Sequence, residues 1–163
     1  MLKQLFTDIV RATTDACVAV YGERLVGVVV FGSVARQTMR PDSDIDLLVV
    51  ADPLPRGRVP RMDEFRKVED LVAPALEDAR SRSVTTRLAP ILRTPADLDR
   101  SGFVLYDIAC DGAVVHDRDG RIEAHMAGVR ERLKRRGAER RSFRGARYWV
   151  LEPSVRPGQV VEL

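Results

Sequence analysis

The sequence predicts an α/β (α+β) fold, a short mixed β-sheet with helices packed against one face. Three observations lead there. The apolar run Leu25–Phe31 is rich in β-branched residues and reads as a buried strand. A second run, 44–50, follows it after the turn residues Gly32-Ser33 and Pro41-Asp42-Ser43. Longer stretches, 2–21 and 62–79, carry apolar residues at helical spacing.

The first helix is expected over 2–21. Leu2, Leu5, Phe6, Ile9, Val10, Thr13, Cys17 and Val20 share a face, and Gly22 supplies the stop. After the strand at Leu25–Phe31, Gly32-Ser33 turns the chain, and 34–38 has room for one or two helical turns. The segment 52–60 holds three prolines and a glycine and reads as a loop. A helix over 62–79 follows, with Pro74 predicting a kink or an end near Ala73. A third strand is expected over 83–92, its end pushed by Pro90 toward a sheet edge or a bulge. Thr94-Pro95 starts a short helix, and 102–110 continues as a mainly apolar one. Asp111-Gly112 turns into a short strand, 113–117. A last helix runs from Arg121 to about Arg136, with Ile122, Met126, Val129 and Leu133 on one face. A short strand with the pair Tyr148-Trp149 and a further extended piece, 157–163, complete the chain. The expected organisation is a core over 1–118 and a C-terminal helix-and-strand extension of the same domain over 119–163.

Composition bounds the functional classes. Of 163 residues, 45% are hydrophobic and 31% charged, as in soluble globular proteins. The net charge of +3 is too small to argue for nucleic-acid binding by itself. The basic run from Arg130 to Arg136, followed by Arg140, Arg141, Arg144 and Arg147, lacks interleaved aromatics, so nucleic acid is only weakly supported as a partner. Cys17 and Cys110 stand alone, as buried small apolar residues in a reducing compartment do. With neither signal peptide nor membrane-length apolar run, the expected location is cytoplasmic, with no membrane partner.

The chemistry concentrates between Gly32 and Val50. Asp44 and Asp46 stand at i and i+2 on a strand, so their side chains share a face, roughly 7 Å apart along the backbone. Two like charges there call for a cation between them. Hard carboxylate oxygens suit Mg²⁺, which takes one or two carboxylates together with substrate phosphates. Two such ions roughly 3.5–4 Å apart are the usual arrangement for in-line displacement at phosphorus. Gly32 lets a triphosphate approach the backbone, and the Ser33 hydroxyl and nearby amides can bond its oxygens. Arg36 and Arg40 lie in the spacer, within reach of phosphate charge.

Gly32-Ser33, ten intervening residues and Asp44-Ile45-Asp46 resemble the motif of the nucleotidyltransferase superfamily related to DNA polymerase beta. Gly-Ser-x-Ala-Arg and Ser-Asp-Ile-Asp-Leu look like its minimal bacterial and archaeal members, some of which are antitoxin partners of HEPN-domain toxins. The resemblance implies a nucleotidyltransferase fold and Mg²⁺-dependent transfer of a nucleoside monophosphate from a nucleoside triphosphate, ATP first among them. Asp44 and Asp46 would be the catalytic metal ligands, and Gly32, Ser33 and Arg36 the nucleotide-binding residues. The acceptor would be a hydroxyl, for instance a tyrosine of a HEPN-type toxin. Homo-oligomerisation is left open.

One departure stands out. The superfamily commonly carries a third carboxylate on the next strand, yet no residue between Ser81 and Arg93 is acidic. Thr86 or Arg87 stands about where that acid would be, and Asp107 falls on a later helix. A catalytically weak or inactive nucleotide-binding antitoxin is therefore the alternative. An aminoglycoside-modifying enzyme would need a further helical domain, and a polymerase a thumb-like one.

Overall fold

The two apolar strands pair as a hairpin whose long connection carries the Gly32–Asp46 motif. The computed structural model describes residues 1–98, 100, 102–144 and 146–153, so the expected extended piece at 157–163 lies outside the described residues. Its elements are α1 (Leu2–Tyr21), β1 (Leu25–Phe31), α2 (Gly32–Ala35), β2 (Ile45–Ala51), α3 (Arg58–Ser81), β3 (Leu88–Arg93), α4 (Pro95–Leu98), α5 (Phe103–Asp111), β4 (Ala113–Asp117), α6 (Arg121–Arg135), β5 (Glu139–Phe143) and β6 (Ala146–Val150). The main sheet has the order β3-β2-β1-β4. Strand β1 runs antiparallel to β2 and β4, while β2 and β3 are parallel, so the sheet is mixed, as predicted.

Both faces of the sheet are covered. The expected single layer is α1 with α3, where Phe6, Ile9, Phe65, Val68 and Val72 pack on Val28, Ile45, Leu47 and Val49. The opposite face, carrying Val29, Leu48 and Val50, lies under Leu105, Ile108, Ile122, Met126 and Val129 from α5 and α6. The reason is already in β2. Leu47-Leu48-Val49-Val50 is apolar at consecutive positions, and a strand alternates its side chains, so both faces need a hydrophobic cover. Each fully buried side chain of this size is worth about 1.5–3 kcal/mol. Gly27 lets α6 come close, since a Cβ there would lie 2.2 Å from Ile122 Cγ1.

Helix α3 continues through Pro74 to Ser81, where the sequence predicted a kink or an end. Pro74 removes one backbone donor, but it and Asp70 are on the exposed side, where water can take the freed carbonyl. Strand β3 starts at Leu88, five residues later than expected. The preceding amides are used elsewhere: Val84 N–H donates to Ala79 O and Thr85 N–H to Pro41 O. Pro90 sits on β3, an outer strand, where a missing donor is tolerated.

Strands β5 and β6 form a separate antiparallel hairpin fastened to α5. Trp149 Nε1–H donates to Asp107 Oδ1 at 3.0 Å, and the Trp149 ring meets Tyr106 edge-on at 6.1 Å. Arg140 stacks over Trp149 at 5.0 Å and donates to Asp111 Oδ2 at 2.7 Å. Among the described residues no helix is long and apolar enough to cross a membrane.

Candidate active site

Gly32 leaves β1 with φ +69° and opens the short helix α2. The conformation is one that L side chains rarely adopt, and the space is closed as well. A Cβ on Gly32 would lie 2.1 Å from Asp46 Oδ2. The glycine therefore does two things at once: it turns the chain and lets that turn rest against a carboxylate. Ser33 follows, its carbonyl accepting the Thr38 N–H at 2.9 Å, which closes the turn. Its hydroxyl has no hydrogen-bond partner among the described residues and is available to a ligand.

Asp44 and Asp46 flank the first residue of β2, on the α5/α6 face, as the alternation predicted. Asp46 lies opposite Phe31 on β1 and Ala89 on β3, and it is the one residue of β2 that is not fully buried. Partial burial raises its pKa above the ordinary carboxylate value, and the charge of Asp44 adds to the rise. The nearby Arg36 guanidinium acts in the opposite direction. Asp44 is met by Arg87, whose Nε and Nη2 both lie 3.0 Å from Oδ2.

Arg36 ends α2 and faces Asp111 at 3.9 Å. Asp111 is the hub of the neighbouring charges, with Arg140 at 2.7 Å and Arg147 at 3.4 Å. The Arg140 hydrogen bond leads in holding its carboxyl below the usual range. Two of the arginines that follow the basic run, Arg140 and Arg147, are thus bound within the fold. Trp149, read in the sequence as part of a short strand, packs inside the hairpin's joint with α5.

The sequence motif brings Gly32, Ser33, Arg36, Asp44 and Asp46 together at one end of β1 and β2. Sequence reasoning noted the position of Arg87 but not its pairing, and it missed Asp111. The only signal for Asp111 was charge complementarity to the arginines after α6. A cleft of about 460 Å³, lined by residues that include Arg58, Arg61, Met62 and Ile91, lies at the opposite end of β3 and contains none of these groups. Its size says nothing about the chemistry, which sits where the charges converge.

The donor set fits a hard divalent cation. Two carboxylates share a face, burial and then the neighbouring Asp44 charge raise the pKa of Asp46, and the missing Cβ of Gly32 keeps Oδ2 uncovered on that side. Among the described residues there is no cluster of three or more His, Cys, Asp or Glu placed to hold a metal. Substrate oxygens and water suit the remaining positions around such a cation.

Residues 16–93 match the family described as Nucleotidyltransferase domain. The match begins within α1 and ends at the last residue of β3. It takes in the Gly-Ser turn and both aspartates but stops short of Asp107 and Asp111. A provisionally named protein adenylyltransferase of Methanocaldococcus jannaschii is 28% identical over 137 residues, 83% of this chain and 88% of that protein. Among solved structures, a toxin-antitoxin with AMP-PNP is 15% identical, covering 76% of this chain and 86% of that one at a TM-score of 0.47. A provisionally named nucleotidyltransferase from Sulfolobus solfataricus is 22% identical, covering 72% and 81% at a TM-score of 0.39.

Proposed function

We propose, from the match of residues 16–93 to the Nucleotidyltransferase domain family, that the protein moves a nucleoside monophosphate from a nucleoside triphosphate to a hydroxyl on a partner protein. The observation that carries the proposal is the Gly32 turn resting against Asp46, with Asp44 on the same face. A phosphate-sized approach to backbone and a carboxylate pair are thereby joined in one site.

In the proposed reaction the acceptor oxygen bonds to the α-phosphorus while the bond from that phosphorus to the α–β bridging oxygen breaks. Pyrophosphate leaves, and the hydroxyl proton passes to water. Ser33 and the backbone at Gly32 hold the β- and γ-phosphates, and Arg36 offsets negative charge on them. Asp44 and Asp46 would hold Mg²⁺, two ions in the full arrangement, which supplies further neutralisation of phosphate charge. The adenylyl designation of the archaeal relative supports ATP as donor and a protein as acceptor. A HEPN-type toxin as that acceptor rests on the sequence resemblance. One observation favours a second reading, a nucleotide-binding antitoxin without turnover: β3 offers no acid, and Arg87 holds Asp44.

The test is incubation with Mg²⁺ and each α-³²P-labelled nucleoside triphosphate, with a candidate partner or lysate as acceptor. Label on a protein, lost in the Asp44→Ala/Asp46→Ala variant, is the expected result. Metal-dependent nucleotide binding without label would favour the second reading, and neither label nor binding would overturn both.

A further inference from the structure

We propose that Arg87 is a triphosphate-binding residue of this site, resting on Asp44 until a metal–nucleotide complex arrives. The inference rests on the nucleotidyl-transfer reading and deepens it with a residue from outside the Gly-Ser/Asp-x-Asp motif.

The backbone of Arg87 is fixed and its side chain is not. Its carbonyl accepts the Ile45 N–H at 2.9 Å, and Leu88 beside it enters β3 in register with Ile45. The side chain is 81% exposed, and Asp44 is its partner. Both close nitrogens address a single oxygen, Oδ2. An exposed pair of this kind is a weak restraint, so the guanidinium can turn away while β3 stays in place.

Charge decides where it goes. A divalent cation at Asp44 and Asp46 repels a guanidinium on the same carboxylate. A triphosphate brings several negative charges and paired oxygens that match the planar fork of arginine. When metal and nucleotide enter together, Asp44 exchanges one cation for another, and Arg87 exchanges a carboxylate for phosphate. The exchange also accounts for the chemistry of β3. No residue from 81 to 93 is acidic, and no third metal-ligating side chain joins the pair among the described residues. What the residue leading into this strand contributes is a cation for the phosphates in place of a third ligand for the metal.

Two binding measurements on the full chain test this, with Arg87→Ala, Arg87→Lys and Asp46→Asn beside wild type. The first is Mn²⁺ binding without nucleotide, followed by electron paramagnetic resonance. The second is calorimetric binding of a non-hydrolysable ATP analogue with Mg²⁺. Removing Arg87 removes a competitor for Asp44, so Arg87→Ala is expected to bind Mn²⁺ about three-fold more tightly. It should bind the analogue at least about ten-fold more weakly, the loss of one charge-assisted bond. Arg87→Lys should recover part of the analogue affinity. The opposite signs separate this role from a folding defect, which would weaken both. Analogue affinity unchanged in Arg87→Ala, or both affinities weakened together, would overturn the inference. If wild type binds the analogue and Asp46→Asn loses Mn²⁺ while Arg87→Ala changes nothing, the inference fails and nucleotidyl transfer stands. If wild type binds neither probe, both fall.

Discussion

Substituting Gly32 by alanine puts the geometry of the site to a quantitative test. The new Cβ would sit 2.1 Å from Asp46 Oδ2, whereas ordinary contact begins at about 3.4 Å, so the oxygen must retreat by more than an ångström. Asp46 cannot withdraw its backbone, because β2 is paired on both sides, with Phe31 and Ala89 opposite. The carboxylate must rotate instead, away from the Gly32 turn. A misplacement of about 1 Å costs about 100-fold in rate. The left-handed backbone at φ +69° adds a stability cost of about 1–2 kcal/mol for any side chain. For a chain of this length that corresponds to a fall in Tm of about 2–8 °C. The assays are nucleotidyl label transfer at saturating nucleotide and thermal denaturation by circular dichroism. A double-mutant cycle with Asp46→Ala separates the two effects, since only the backbone cost survives once the carboxylate is gone. A folded Gly32→Ala protein that transfers label within about three-fold of wild type would refute the reasoning.

Asp46→Asn should abolish transfer yet melt at or above wild-type temperature at pH 7. A carboxyl whose folded pKa is raised favours the fold when protonated, so its charge destabilises once pH exceeds the ordinary carboxylate value, and the amide lifts that penalty. Asp97 behaves oppositely. It accepts the Thr94 N–H and an Arg61 hydrogen bond, which hold its pKa down to about 2 from the model-compound value of 3.8. Asp97→Ala should cost about 1 kcal/mol in urea denaturation at pH 7. That difference should be lost as pH falls from about 4 through about 2. Asp111→Ala should cost about 2 kcal/mol by leaving Arg140 without its closest acceptor. It should also open the β5–β6 hairpin to limited proteolysis near Gly137; a wild-type cleavage pattern would count against Asp111 as its anchor.

The parts legible in the sequence were those whose determinants are local. Leu25–Phe31 and the run after Asp44 declare themselves by β-branched residues, and the Gly-Ser turn with Asp-x-Asp follows from spacing alone. The start of β3 was misread because 83–87 has strand-like residues whose amides are taken by α3 and by Pro41. The path of α3 through Pro74 depended on which side of the helix faces water, a tertiary fact. Strand β5, Glu-Arg-Arg-Ser-Phe, lacks apolar alternation. It is held by Asp111 and by its pairing with β6, which no window around it could disclose. Arg87 was visible as a position and invisible as a partner. Its meeting with Asp44 is set by the parallel register of β2 and β3, and long-range register has no signature in composition.

The order β3-β2-β1-β4 has a further implication for how this molecule can be cut or shuffled. The region recognised by likeness ends with β3, but the strand beside β1 is β4, and the cover over Leu48 and Val50 comes from α5 and α6. A fragment trimmed at Arg93 would keep all five motif residues and lose an entire hydrophobic layer, along with the acidic hub opposite Arg36. The heritable signature and the autonomous folding unit are therefore different lengths of chain. Grafting the signature alone onto another scaffold would carry the ligands across without the wall that holds them in place.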